Sequence, residues 1–141
     1  MIRPFFKLAL ILSVIAPSLA HAMFVANYAS WKKGPPEVQQ AYLVGVIDDW
    51  AGTSTPGEPP WMKAQRTGVI KCIRERGISA TMLVDLVNTH YKNYTADWRV
   101  PPAIVVKDVL MATCLADVNI EREKAGFSPW ERKPAQISRD N

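Results

Sequence analysis

Prolines and glycines divide this chain into blocks of helix length, and that division constrains its fold more than any other feature. A glycine and two prolines at 34–36 precede a predicted helix that runs to about residue 50. Proline is favoured in the first turn of a helix and glycine just after its last turn. A second predicted helix covers 61–76, with Gly77 as its cap. The segment 53–60 between them, rich in Thr, Ser, Pro and Gly, is predicted to be a loop.

Apolar residues at helical spacing extend this prediction along the chain. In a third block Ser79 is a predicted cap, and apolar and aromatic residues over 83–94 mark one helix face. Prolines at 101–102 open a fourth predicted helix, 103–124, which is apolar around most of its circumference. No segment shows sustained period-two alternation, so we predict an all-α bundle of about four helices. In the first block the residues at helical spacing are Val38, Ala41, Tyr42, Gly45 and Val46.

The first 22 residues have the pattern of a secretory signal peptide. Arg3 and Lys7 supply positive charge, an apolar run covers 8–16, and Ala20-His21-Ala22 offers the small-x-small sequence that signal peptidases cleave. The apolar run is far shorter than the ~20 residues that a membrane span needs, so a permanent membrane anchor is the less favoured alternative. We therefore expect a periplasmic protein that is cleaved after Ala22.

Length and charge favour one small domain and disfavour some partners. Removing 22 of the 141 residues leaves 119, a common single-domain size. We expect a signal peptide at 1–22, a helical domain over 23–125 and a loosely ordered polar tail over 126–141. The formal net charge is +4, of which the first 22 residues hold two positive charges. The sequence has no long basic run interleaved with aromatic residues, so no nucleic-acid partner is expected.

Two cysteines, Cys72 and Cys114, remain after the predicted cleavage. An even cysteine count in a small exported protein favours a disulfide. The two residues form no C-x-x-C redox pair and lack the short spacing of zinc ligands. We predict an intramolecular Cys72–Cys114 bridge; two buried free thiols or a bridge between chains are the alternatives.

The sequence offers little for catalysis. His90 is the one histidine beyond the predicted signal peptide, and it lies on the apolar stripe of the third predicted helix. A hydrogen-bonded core histidine is the favoured interpretation, with a general acid–base catalyst as the alternative. Asp48 and Asp49 are adjacent, and neighbours on a helix point about 100° apart, so they form no ready catalytic dyad. No metal, phosphate or cofactor motif is present. We expect no enzymatic activity, no metal and no cofactor.

Aromatic residues near prolines are the best candidates for a binding surface. Trp61 and Trp98 each lie beside prolines or a predicted helix start, where full burial is difficult. Core filling is the alternative role for both. Exposed aromatic side chains commonly anchor protein interfaces. Our candidate patch is the segment 53–61, which contains Glu58 and Trp61, with Trp98 as a second choice.

An aromatic-x-x-Gly-x-x-Asp element, a cysteine, an amphipathic helix, a proline-led helix and a second cysteine follow one another along the chain. They are Tyr42-x-x-Gly45-x-x-Asp48, Cys72, residues 83–94, Pro101-Pro102 and Cys114. Their order over about residues 38–116 resembles the type VI secretion amidase immunity family, the Tai/Rap group.

The resemblance implies a periplasmic protein that binds and inhibits a peptidoglycan-cleaving toxin, such as a cell-wall amidase, without catalysis of its own. Two other hypotheses stay open on the sequence. One is a periplasmic structural or chaperone-like helical protein without a dedicated toxin partner. The other is a small wall-active enzyme. The sequence does not set the oligomeric state.

Overall fold

A computed structural model describes residues 25–52 and 56–138. The predicted signal peptide and its cleavage site lie outside the described residues. Within the two ranges the protein is all-α, as predicted, with no strand. None of the helices there is long and apolar enough to cross a membrane. The helices are α1 (Tyr28–Lys33), α2 (Pro36–Gly52), α3 (Pro60–Arg76), α4 (Ala80–Asn93), α5 (Pro102–Thr113) and α6 (Leu115–Lys124), with a 3₁₀ helix (Thr95–Arg99) before α5.

The described ranges contain six α-helices, whereas the sequence predicted about four. The first additional helix is α1, which is too short for a periodic pattern to show. A reciprocal cap starts it: the Asn27 side chain accepts a hydrogen bond from the Ser30 amide at 2.9 Å, and the Ser30 hydroxyl accepts one from the Asn27 amide at 3.2 Å. Trp31 of α1 is 1% exposed, and its indole N–H donates to Asn88 Oδ1 of α4 at 2.9 Å, so α1 closes one side of the core.

The second additional helix arises because the predicted 103–124 helix is divided at Cys114. This residue has φ −99° and ψ 15°, outside the helical region, so α5 ends before it and α6 begins after it. Cys114 is bonded to Cys72 of α3, with their Cα atoms 5.7 Å apart, which confirms the predicted disulfide. The division has no proline or glycine to mark it, so the sequence pattern alone predicted one continuous helix.

Among the described helices, α3 and α6 pack against each other most extensively. Gly68 lies in the interior of α3, where a Cβ added to it would stand 2.5 Å from the Cα of Val118 in α6. A side chain there would collide with backbone, so the absence of one allows the two helices to approach this closely. The fully buried side chains of the core come from all six described α-helices and include Trp31, Leu43, Val69, Val87, Tyr91, Val105, Val106, Leu110 and Val118.

The boundaries of α3 and α4 follow the predicted caps. Gly77 ends α3 with φ 62°, a left-handed conformation that glycine adopts without steric cost. The Ser79 side chain accepts a hydrogen bond from the Met82 amide and caps the start of α4.

The segment after Gly126, expected to be a loosely ordered tail, makes specific contacts as far as Ser138. Asn119 exchanges two hydrogen bonds with the Trp130 backbone, at 2.8 and 3.0 Å. The Arg122 guanidinium donates to Ser128 O and lies 4.0 Å from the centre of the Trp130 ring. Arg132 forms an ion pair with Asp108 of α5. Residues 127–138 therefore run across α6 and α5 without forming a helix or strand themselves.

Candidate functional site

His90 occupies the core, as predicted. It is 3% exposed at the end of α4, and its Nε2 lies 2.8 Å from Oδ2 of Asp97, which has no solvent exposure. Ser138 completes the cluster: its hydroxyl and its amide both donate to Asp97 Oδ1, at 2.5 and 2.7 Å. The carboxylate thus stands between the imidazole and the hydroxyl. In a nucleophilic triad the imidazole takes that middle position, so this cluster is not arranged to activate Ser138.

The Asp97 carboxylate is the centre of this buried polar cluster. Burial by itself raises its pKa, but hydrogen bonds from the Ile137 amide, the two Ser138 groups and His90 outweigh that effect and hold the pKa below its usual value. The Ile137 amide donates to Oδ2 at 2.8 Å. Asp97 therefore connects α4, the 3₁₀ helix and the C-terminal segment, and its role here is structural.

Glu58, a predicted partner-binding residue, is engaged within the protein. Its two carboxylate oxygens accept hydrogen bonds from Arg66 Nε and Nη2 at 3.2 and 2.6 Å, and its side chain is only 12% exposed. The bond from Arg66 lowers the pKa of the Glu58 carboxyl. Arg66 also donates to Ala51 O at 3.1 Å, so the pair joins the end of α2 to the start of α3. Glu58 therefore helps to fix the position of the chain just before α3.

Trp61 is exposed in the first turn of α3, as its proline neighbours predicted. It is 42% exposed, and the adjacent Met62 is 41% exposed. Prolines at 59 and 60 start the helix at this point and place both side chains at its outer end. Residues 53–55 of the predicted patch lie outside the described residues.

Trp98, the second candidate, is partly exposed and also makes contacts within the protein. Its exposure is 49%, yet its indole N–H donates to Tyr91 O at 2.9 Å. Its ring centre lies 5.1 Å from that of Tyr28 in α1. Trp98 and Trp61 lie on different elements, and no ring contact among the described residues joins them. The structure therefore does not bring the two predicted aromatic candidates into one site.

Two depressions lie along α2 and meet at Asp49. The first, about 390 Å³, lies between the end of α2 and the start of α3, with Trp50, Met62 and the Glu58–Arg66 pair in its lining. The second, about 480 Å³, lies between α2 and α5 and is lined by Tyr42, Gly45, Val46 and Lys107 among others. Lys107 Nζ lies 5.9 Å from the centre of the Trp50 ring.

The apolar stripe predicted on α2 does not coincide with the buried side of the helix. Leu43 and Ile47 are buried, while Tyr42 and Val46 are half-buried. The other predicted positions face outward: Val38 is 55% exposed, and Ala41 and Gly45 are also exposed. We call the outward residues Val38, Ala41, Val44, Gly45 and Asp48 the α2 face. The sequence shows the helical spacing of the apolar residues in the α2 face, but it does not show that this face is exposed.

The chain matches no protein-family model, no curated protein and no solved structure. Among the described residues, no group of three or more His, Cys, Asp or Glu side chains is placed to hold a metal ion. Trp61 and Met62 form an exposed apolar edge beside the depression between α2 and α3, whose lining includes the Glu58–Arg66 pair.

Proposed function

We propose that this protein is an exported binding protein of the periplasm that inhibits a peptidoglycan-cleaving amidase toxin. The resemblance in the order of its features to the amidase immunity family supplies the class of partner. The observation that carries the binding role is the exposed pair Trp61 and Met62 beside the depression between α2 and α3. Large side chains next to a depression are typical anchors of protein interfaces.

The surroundings of this edge favour binding by a rigid surface. The bidentate Glu58–Arg66 pair, whose two side chains are 12% and 13% exposed, joins the segment just before α3 to that helix. Arg66 joins the same segment to the end of α2 through Ala51 O. A surface held in this way loses little conformational freedom on binding, and more of the contact energy then appears as affinity.

The disposition of the polar groups favours binding over turnover. The His90 imidazole and the Asp97 carboxylate are enclosed in the core and bonded to each other. A general base must be able to reach the proton it abstracts, and a substrate has no access to this imidazole in the folded state.

The test is inhibition of a purified peptidoglycan amidase whose gene adjoins the gene of this protein. The assay measures release of fragments from isolated cell-wall sacculi with and without an equimolar amount of residues 23–141. We expect stoichiometric inhibition, and Trp61→Ala should weaken binding by roughly 2 kcal/mol or more. Ile120→Ala, on an equally exposed residue of α6, is the matched control.

Three results would contradict the proposal. They are full amidase activity in a large excess of the protein, the absence of any wall hydrolase gene at the locus, and fragment release by this protein alone. Suppression of the aggregation of unrelated unfolded proteins, without inhibition of the amidase, would instead favour the chaperone-like alternative.

A further inference from the structure

The chain contains two glycines in helix interiors, and the structure accounts for only one of them. Gly68 is required because a Cβ there would stand 2.5 Å from the backbone of α6. Gly45 lies in the middle of α2, where a Cβ would meet no described atom within 4 Å. Glycine in a helix interior is less stable than alanine, so an internal contact explains Gly68, while no described contact explains Gly45.

Gly45 lies on the α2 face, an apolar surface that the described residues leave uncovered. Val38 and Val44 at its margins are 55% and 39% exposed, and Ala41 precedes Gly45 by one helical turn. Small residues one turn apart leave a shallow trough in which another backbone can approach the helix, as α6 approaches α3 at Gly68. The trough continues into the depression between α2 and α5, which Ala41 and Gly45 both line.

The charge of α2 favours a cationic occupant. Its charged residues, Glu37, Asp48 and Asp49, are all acidic, although the chain as a whole carries a formal net charge of +4. Glu37 and Asp48 are exposed, and neither forms an ion pair with another described residue. They stand 11 residues apart, a distance of ~16 Å along the helix. Lys107, on the opposite wall of the depression, is directed over the Trp50 ring.

A symmetric dimer of this chain, in which α2 meets α2, does not suit the α2 face. Two copies meeting through α2 would each bring acidic residues and no cation from that helix, and like charges facing one another across an interface are unfavourable. We propose that the α2 face is the docking surface for a cationic segment of a partner protein, whose backbone passes over Gly45 and whose Lys or Arg side chains meet Glu37 and Asp48. The proposal rests on the binding role proposed above and adds the surface and the chemistry of the partner.

The experiment places the photo-reactive amino acid p-benzoylphenylalanine at position 44 in the full chain, expressed in cells of its source. The matched control carries the same group at Ile120 of α6, where exposure is 43% against 39% at Val44. We expect a cross-link to a different protein from position 44 and none to that protein from position 120. Mass spectrometry should locate the cross-link in a partner peptide that contains Lys or Arg.

Two variants test the contact itself. Asp48→Lys reverses the charge and should lower the cross-link yield about tenfold or more. Gly45→Ala should raise the thermal midpoint, because alanine stabilises an unobstructed helix interior, and should still lower the yield. Loss of cross-linking together with a more stable fold separates a binding defect from a folding defect.

Several outcomes would overturn the docking surface. They are no cross-link from position 44, equal cross-linking from positions 44 and 120, a link to a second copy or to residues 1–24, and a partner peptide without Lys or Arg. Amidase inhibition is measured separately, so the two proposals fail separately. Amidase inhibition without a cross-link from position 44 would contradict only the proposal that the α2 face is the docking surface. A cross-link to a cationic partner that is not an amidase would contradict only the proposal of toxin inhibition.

Discussion

Gly68 of α3 and Val118 of α6 lie so close that a Cβ on the glycine would stand 2.5 Å from the Cα of the valine. The atoms around that position are backbone atoms, which cannot rotate away as a side chain does. The Cys72–Cys114 disulfide joins α3 to the junction of α5 and α6 close to this contact. Close backbone packing and the disulfide therefore both hold α6 against α3.

Gly68→Ala should destabilise the protein by about 2–3 kcal/mol, because the added methyl group forces the two helices apart. The matched control is Gly45→Ala, which adds the same group in open space and should raise the free energy of unfolding by roughly 0.5–1 kcal/mol. Urea denaturation followed by circular dichroism measures both. Equal effects of the two substitutions would contradict the packing argument.

Removal of the disulfide should lower stability by roughly 3–4 kcal/mol in the chain-entropy model, because the unfolded chain regains the freedom of the closed loop. The separation of the two cysteines is 42 residues. Cys72→Ala with Cys114→Ala is compared with the parent by thermal unfolding, under oxidising and reducing conditions. A reducing agent should lower the parent's midpoint and leave that of the double variant unchanged. Quantitative thiol labelling of the denatured parent would show that the bridge is absent.

Asp97 should make stability depend on pH in the acid range. Its pKa in the folded protein is lowered, so the carboxylate stabilises the fold above its unfolded pKa of about 3.9, and this contribution disappears as pH falls through the folded value. Asp97→Asn should cost about 1–3 kcal/mol at neutral pH and should flatten the loss of stability below about pH 4. The control is Asp85→Asn on the exposed side of α4. Parallel pH profiles for Asp97→Asn and the parent would refute this role.

Trp98 and Trp61 should respond differently to truncation. Trp98→Ala removes the hydrogen bond to Tyr91 O and the ring contact with Tyr28, which should cost about 2 kcal/mol of stability. Trp61→Ala, at the outer end of α3, should cost about 1 kcal/mol or less. Chemical denaturation measures the free energy of unfolding of both variants and tests this difference. If Trp98→Ala leaves stability intact, the structural role assigned to its hydrogen bond and ring contact is wrong.

Local signals in the sequence were sufficient for α3, α4 and the disulfide. Gly77 and Ser79 determine conformations through their own backbone and side chain, so their effect is visible in a few neighbouring residues. The six residues of α1 are too few for a hydrophobic period, although the Asn27 and Ser30 pair was a readable cap. The break at Cys114 lies at the residue that is bonded to Cys72 of α3, a distant partner that a helical period cannot show.

The candidate site was predicted less completely than the fold. Proline neighbours correctly indicated that Trp61 is exposed, because a helix start at the surface has little cover. Glu58 was predicted as a candidate for partner binding, but no local pattern indicated its ion pair with Arg66, which lies eight residues away. No local pattern could indicate the structural role of Asp97 either, because three of its hydrogen-bond donors belong to residues that lie 40 and 41 positions further along the chain.

That separation has a consequence for how the protein folds. Without Ile137 and Ser138 the Asp97 carboxylate lacks three of its four hydrogen-bond donors, so it cannot enter the core as it does in the finished fold. Docking of residues 127–138 is therefore part of core formation, and a chain truncated before Ile137 would remain only partly folded.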